Sequence, residues 1–308
     1  MWYALRRKIF GLRAGPLELA KLAFFCALKT PDILWLDKQT GIPTRLLKWL
    51  SEKSRTVISY SPDDMENPAN QTPAWIRGVP ICDTHVTTKS YNVEYLKNLG
   101  APRVVFVDNA YDSLEHLLPG INPDPGIQVV FIGAFEADRC RLLSHLVTQR
   151  VPMLICGGEW TRAQFLENGV DEKAIESSLT IGPQYVPPSR YSAIIRDAAA
   201  SLCFLRKQNR DLQTTRSAEI PAAGGCMIAE KTSEHARLFK DGEEALLFDS
   251  ANQLSEAVTR VRSSTEFRNR VARAGQERVI ESQRSNVHQL VTALLAAEIH
   301  QENARCPK

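Results

Sequence analysis

The feature that most constrains this chain is a repeated alternation of short apolar runs with amphipathic stretches. Strand-like runs fall at 31–36, 56–60, 82–87 and 103–107, with helical stretches near 43–53 and 92–99. The pattern resumes at 128–132, 151–156, 179–181, 201–205, 226–229 and 245–248, again with helical stretches between. Such alternation implies parallel sheets covered by helices, an α/β fold. Between the two series lies Leu118-Pro-Gly-Ile-Asn-Pro-Asp-Pro-Gly126, whose residues extend neither helix nor strand. The expected division is therefore an N-terminal lobe at 1–118, a linker at 119–126, a second lobe at 127–284 and a terminal helix at 285–308. With 308 residues there is room for two such lobes.

The most informative stretch is Arg216-Ser-Ala-Glu-Ile-Pro-Ala-Ala-Gly-Gly-Cys-Met-Ile-Ala229. Ser217 reads as an N-cap that places Glu219 and Pro221 in a first helical turn, with Gly224-Gly225 ending the helix before a buried strand. A short helix holding one carboxylate, near Arg206, Lys207, Arg210 and Arg216, suits a phosphorylated ligand. It is equally the pattern of an ordinary capped helix. Gly133 after the 128–132 strand and Arg139 in the next helix add a glycine and a cation at the same sheet edge.

In the first lobe, polar loops follow the strands at Ser61-Pro-Asp-Asp-Met65, Thr87-Thr-Lys-Ser-Tyr-Asn92 and Asp108-Asn-Ala-Tyr-Asp112. Asp63 and Asp64 are either an acid/base or acceptor pair or a capped turn after Pro62. His85 sits at a strand and reads as a core or rim residue. Residues 1–29 carry Arg6, Arg7, Lys8, Arg13, Lys21 and Lys29 against Glu18, among aromatic and aliphatic residues. That segment is either a helix packed on the sheet or a peripheral contact with an anionic membrane or a protein.

Several classes are disfavoured. The seven cysteines are odd in number and form no CxxC pair, so they read as reduced thiols of a cytoplasmic protein, not as a disulfide frame or zinc site. A net charge of +3 implies no nucleic-acid surface. No apolar run reaches the length of a membrane span. The G-x-G-x-x-G fingerprint, the Walker A loop and HExxH are absent, and no D-x-D pair is present to bridge a metal to a diphosphate. No cofactor is expected; phosphate neutralisation falls to side-chain cations and amides.

With Tyr60-Ser-Pro-Asp-Asp64, Thr87–Glu94, Phe131-Ile-Gly133 with Arg139, Arg216–Gly225, Glu234–Phe239 and Glu244–Asp249, the chain resembles a GT-B glycosyltransferase of the group 1 kind. Within that group it is most similar to the spore-maturation, CgeB-type branch. The resemblance runs from about Pro31 to the C-terminus and is most specific over 216–249. It implies two Rossmann-like lobes facing a crevice, with the second binding a nucleotide-diphosphate sugar, the first an acceptor, and the last helix crossing back to the first. It implies Glu219 on the donor's ribose, Asp211 near the donor sugar, Arg139 and Lys207 on the leaving diphosphate, and main chain around Gly182–Tyr185 near the base. Gly133, Arg206 and Arg216 complete the expected donor set; Asp63 or Asp64 stands at the acceptor. The expected activity is metal-independent, retaining transfer. The first lobe shows four strands and lacks the usual opening strand and glycine loop, so it reads as shortened at its front. That supports a second reading, a non-catalytic or partner-dependent nucleotide- or sugar-binding protein.

Overall fold

The computed structural model describes residues 15–305, with side chains to residue 297. Cys306 and the cations Arg6, Arg7, Lys8 and Arg13 lie outside the described residues. The chain divides into two compact units. Among described residues, the first comprises 15–108, 207–211 and 289–305; the second comprises 109–206 and 212–288.

The first unit opens with helix α1 (Pro16–Lys29), followed by β1 (Ile33–Asp37), α2 (Thr44–Lys53), β2 (Thr56–Ser61) and α3 (Pro73–Gly78). It continues with β3 (Thr84–Thr87), α4 (Asn92–Asn98) and β4 (Val104–Phe106). The four strands form one parallel sheet in the order β1-β2-β3-β4. On one side Leu19, Cys26, Leu34, Leu36, Leu47 and Leu50 pack together, drawing α1 and α2 onto the sheet. On the other, Ile58, Val86 and Val107 meet Ala293 and Ala297, so the terminal helix contributes to this unit's core.

The second unit runs through β5 (Val129–Ile132), α5 (Ala137–Thr148), β6 (Met153–Cys156), α6 (Arg162–Glu167), α7 (Glu172–Ser178) and β7 (Leu179–Ile181). Next come α8 (Pro188–Asp197), β8 (Ala200–Cys203), α9 (Arg216–Ala222), β9 (Met227–Glu230), α10 (Ser233–Leu238) and β10 (Leu246–Phe248). Helices α11 (Ala251–Ser263), α12 (Thr265–Glu281) and α13 (Asn286–Arg305) follow, with α13 from Gln289 onward belonging to the first unit. Its six parallel strands are ordered β10-β9-β8-β5-β6-β7. Sequential strands thus run outward from β5 to one edge and from β8 to the other, which makes β5/β8 the topological switch point. All four residues of β5 and of β8 are buried, as strands covered on both faces must be.

The proline- and glycine-rich stretch belongs with the second unit. The carbonyls of Leu118 and Asn122 accept from Gln276 and Arg268 on α12. These bonds tether a segment whose composition suggests a free linker. Gly224, at φ +76°, ends α9 where an added Cβ would lie 2.6 Å from the Gly120 carbonyl.

Two local expectations are corrected. Thr215 is the N-cap of α9, and Ser217 lies inside it. The Ser217 hydroxyl bridges the Thr214 N–H, at 3.0 Å, and His235 Nε2, at 2.7 Å. His235 Nδ1 lies 2.6 Å from the Glu230 carbonyl, so Nδ1 carries the proton and Ser217 donates to Nε2. A hydroxyl recruited to bury a histidine cannot cap its own helix. Pro221 stands within the helix, beyond its first turn, in a segment only seven residues long.

Candidate functional site

In the second unit, the carboxyl ends of β5 and β8 gather three arginines from separate parts of the sequence. Arg139, in the first turn of α5, is buried; its Nη1 donates to the Ala134 carbonyl at 3.0 Å and lies 3.3 Å from Glu136 Oε1. Arg206, after β8, reaches the same Glu136 oxygen at 3.4 Å. Arg216, opening α9, donates through Nε to the Ile132 carbonyl at the end of β5, at 2.7 Å. The Arg139 Nε is buried with no partner among the described residues. Burial lowers the Arg139 pKa; Glu136 opposes that, while Arg216 and Arg206 push it further down. Like charges have therefore been brought together, two of them on one shared carboxylate.

Glu219 lies in the same unit, half-buried on α9. Its Oε2 accepts from the Tyr191 hydroxyl at 2.7 Å. Burial, and then the Glu219 charge, raise the Tyr191 pKa well above its usual value, so Tyr191 stays a donor. His116 packs edge-on against the Tyr191 ring, 5.5 Å between centroids. Nothing in the sequence announces Tyr191: it stands 28 residues from its partner, on a helix whose pattern speaks only of burial.

The two expected glycines use their backbone groups within the protein and leave room for close packing. The Gly133 N–H donates to the Cys156 carbonyl at 2.9 Å, and its C=O accepts from Trp160 Nε1 at 2.8 Å. A Cβ at Gly133 would lie 2.7 Å from the Phe131 ring. The Gly182 N–H donates to the Ile155 carbonyl at 2.8 Å. Both provide clearance at the sheet edge, while their amides are already committed.

The remaining candidates fall in the first unit. Lys207 begins a 3-10 turn, Lys207–Asn209, that belongs there. The structure therefore does not group it with Arg139 in one unit. Asp64 is 1% exposed and saturated: Arg210 Nε and Nη2 donate at 2.7 and 2.9 Å, Asn92 Nδ2 at 2.9 Å and the Glu66 N–H at 3.1 Å. Burial pushes its carboxyl up, but the bonds from Arg210, Asn92 and the Glu66 amide more than offset this, leaving its pKa below the ordinary value. Asp211 pairs with Lys89 at 2.5 Å, both side chains 5% exposed. Tyr91 donates to the Asn209 carbonyl at 2.6 Å and carries the Arg210 guanidinium over its ring. The motif Thr87–Asn92 thus anchors the segment 207–211. Asp63 is more exposed, and lies 3.6 Å from Lys38.

Comparison with known proteins gives a consistent result. The sequence matches the family described as glycosyl transferase-like over residues 125–296. No match was found among curated proteins. Among solved structures, TarM of S. aureus aligns with a TM-score of 0.65 at 11% identity, over 91% of this chain and 58% of TarM. Anabaena HepE, in complex with UDP-glucose, aligns at 0.62 and 13% identity, over 94% of this chain and 84% of HepE. The pneumococcal O-GlcNAc transferase GtfA, in complex with UDP and GlcNAc, aligns at 0.60 and 13% identity, over 91% and 60%. The chain thus spans under two thirds of the length of TarM and of GtfA, and at these identities the likeness concerns the fold. With its two parallel α/β units and its match over the second, this chain belongs to the glycosyl transferase-like family and has the GT-B fold.

Proposed function

We propose that the chain transfers a sugar from a nucleotide-diphosphate sugar to an acceptor, without a metal ion and with retention of configuration. The observation that carries this reading is the convergence of Arg139, Arg206 and Arg216 at the switch point of the second unit. Arg139 and Arg206 share the counter-charge of Glu136 at 3.3 and 3.4 Å, looser than a committed pair. As the glycosidic bond breaks, negative charge develops on the departing diphosphate. Guanidinium groups already gathered at the strand ends stabilise that charge at a small reorganisation cost. The diphosphate would draw Arg139 and Arg206 from Glu136 and satisfy the orphaned Arg139 Nε. Glu219, steered through one oxygen by Tyr191, keeps the other for the ribose hydroxyls. The complexes of HepE with UDP-glucose and of GtfA with UDP make UDP the first nucleotide to test. Asp63 is the first-unit carboxylate best placed by exposure to serve an acceptor. Residues 1–29 are read as a peripheral contact.

The saturation of Asp64 and the buried pairing of Asp211 with Lys89 favour one alternative: a binding protein that holds a nucleotide sugar without transferring it. Calorimetric titration of the full chain with UDP, GDP and their sugars tests donor binding, and release of UDP from UDP-sugar separates the two readings. Glu219→Ala is expected to weaken nucleotide binding by about 1.5–3 kcal/mol, the worth of a charge-assisted hydrogen bond. Unchanged affinity in that variant would remove Glu219 from the site. Binding with no turnover across acceptors would leave the alternative standing.

A further inference from the structure

Helix α1 is apolar on the side where a surface helix is normally polar. Leu19 and Cys26, seven residues apart, are buried against α2 and the sheet. On the outward side Leu17, Phe24 and Leu28 stand 64, 67 and 65% exposed. At 3.6 residues per turn, these three form one stripe away from Leu19 and Cys26, with Lys21 inside it and Phe25 and Lys29 beside it. The neighbouring helix α2 exposes Arg45, Lys48 and Lys53. None of Lys21, Lys29, Arg45, Lys48 or Lys53 forms an ion pair among the described residues. The exposed acids on the two helices are Glu18 and Glu52. The sequence before α1 adds Arg6, Arg7, Lys8 and Arg13 with Trp2, Tyr3 and Phe10.

We infer that this face of the first unit docks on an anionic lipid bilayer, with Leu17, Phe24 and Leu28 entering the interface and the α1 and α2 cations meeting lipid headgroups. The inference deepens the peripheral-contact reading by fixing the partner and the face; it does not depend on the donor site. Charge decides between occupants. The preceding segment and a second copy of this face both carry the same positive sign as the rim of the stripe, whereas an anionic bilayer complements it and accepts the aromatic and aliphatic groups together. Among the described residues no helix is long and apolar enough to cross a membrane, so the contact is interfacial.

The test is co-sedimentation of the full chain with phosphatidylcholine vesicles, with and without phosphatidylserine. Binding is expected to the serine-containing vesicles, to weaken as salt rises, and to fall at least about tenfold in the Leu17→Ser, Phe24→Ser, Leu28→Ser triple variant. A second variant, Lys48→Glu with Lys53→Glu, is expected to lose binding while keeping the apolar stripe. UDP titration of each variant is expected to match the parent chain, which separates loss of the face from loss of fold and from failure of the donor-site reading. Absence of binding, equal binding to both vesicle types, or binding unchanged in the triple variant would overturn the inference. So would a concentration-dependent dimer that the triple variant abolishes while neither protein binds vesicles.

Discussion

The charges of the two units are arranged in opposite ways. In the first, two buried carboxylates meet their cations at 2.5–2.7 Å: Asp211 on Lys89, Asp64 on Arg210. Both carboxylates are held within the protein. In the second, three arginines crowd one sheet edge, two of them, Arg139 and Arg206, share Glu136 at 3.3 and 3.4 Å, and the Arg139 Nε has no partner among the described residues. Closed pairs make structure, while an open cluster of like charge stores a demand that an anion can meet. Side chains of similar chemistry therefore differ in availability between the two units.

Breaking a closed pair should have the largest effect. Lys89→Ala leaves Asp211 buried without its cation and is expected to destabilise the chain by about 3–5 kcal/mol, read from urea unfolding. A loss below about 1 kcal/mol would mean that water reaches the pair and that the contrast is overdrawn. Next comes the open cluster. Arg139→Met keeps volume, and is expected to weaken UDP binding by about 1.5–3 kcal/mol while changing stability by less than about 1 kcal/mol. A large stability loss with intact binding would reverse the roles assigned to the two units.

A smaller effect tests burial itself, since each unit holds one interior histidine among the described residues. Burial lowers the pKa of His85 and of His235 from 6.5. The unfolded chain then binds more protons, so stability is greatest above pH 6.5 and falls as pH drops below it. Each histidine contributes a slope of up to about 1.4 kcal/mol per pH unit. His235→Gln should reduce that slope in thermal melts between neutral and mildly acidic pH; an unchanged slope would place the titration elsewhere. The smallest effect belongs to a pair outside the comparison. Glu94 and Lys97 meet in solvent, and Glu94→Ala is expected to alter stability by no more than about 0.5 kcal/mol.

Much of the fold was legible because parallel strands buried on both faces leave an unmistakable mark. Runs 128–132 and 226–229 read as strands without neighbours to confirm them, and the strands lie at Val129–Ile132 and Met227–Glu230. Short helices such as α3 and α7 were harder to see, since six or seven residues hold too few turns to show a period. The site was legible by residue type more than by role. Arg139, Arg216 and Glu219 stood out as cations and a carboxylate beside glycines at strand ends. Ser217 misled because its local pattern matched a cap, while its partner lay 18 residues away.

Sequence alone determined the α/β class, the two series of strands, the family resemblance and the absence of the common nucleotide and metal motifs, because each depends on local pattern. Only the tertiary structure decided which charges are spent. Asp64 and Asp211 resemble catalytic acids until Arg210 and Lys89 are seen closing on them, and Arg139 resembles any helix arginine until Arg206 and Arg216 crowd it. The physical reason is that a charge's availability is fixed by what lies within a few ångströms in space, and those neighbours come from distant parts of the chain.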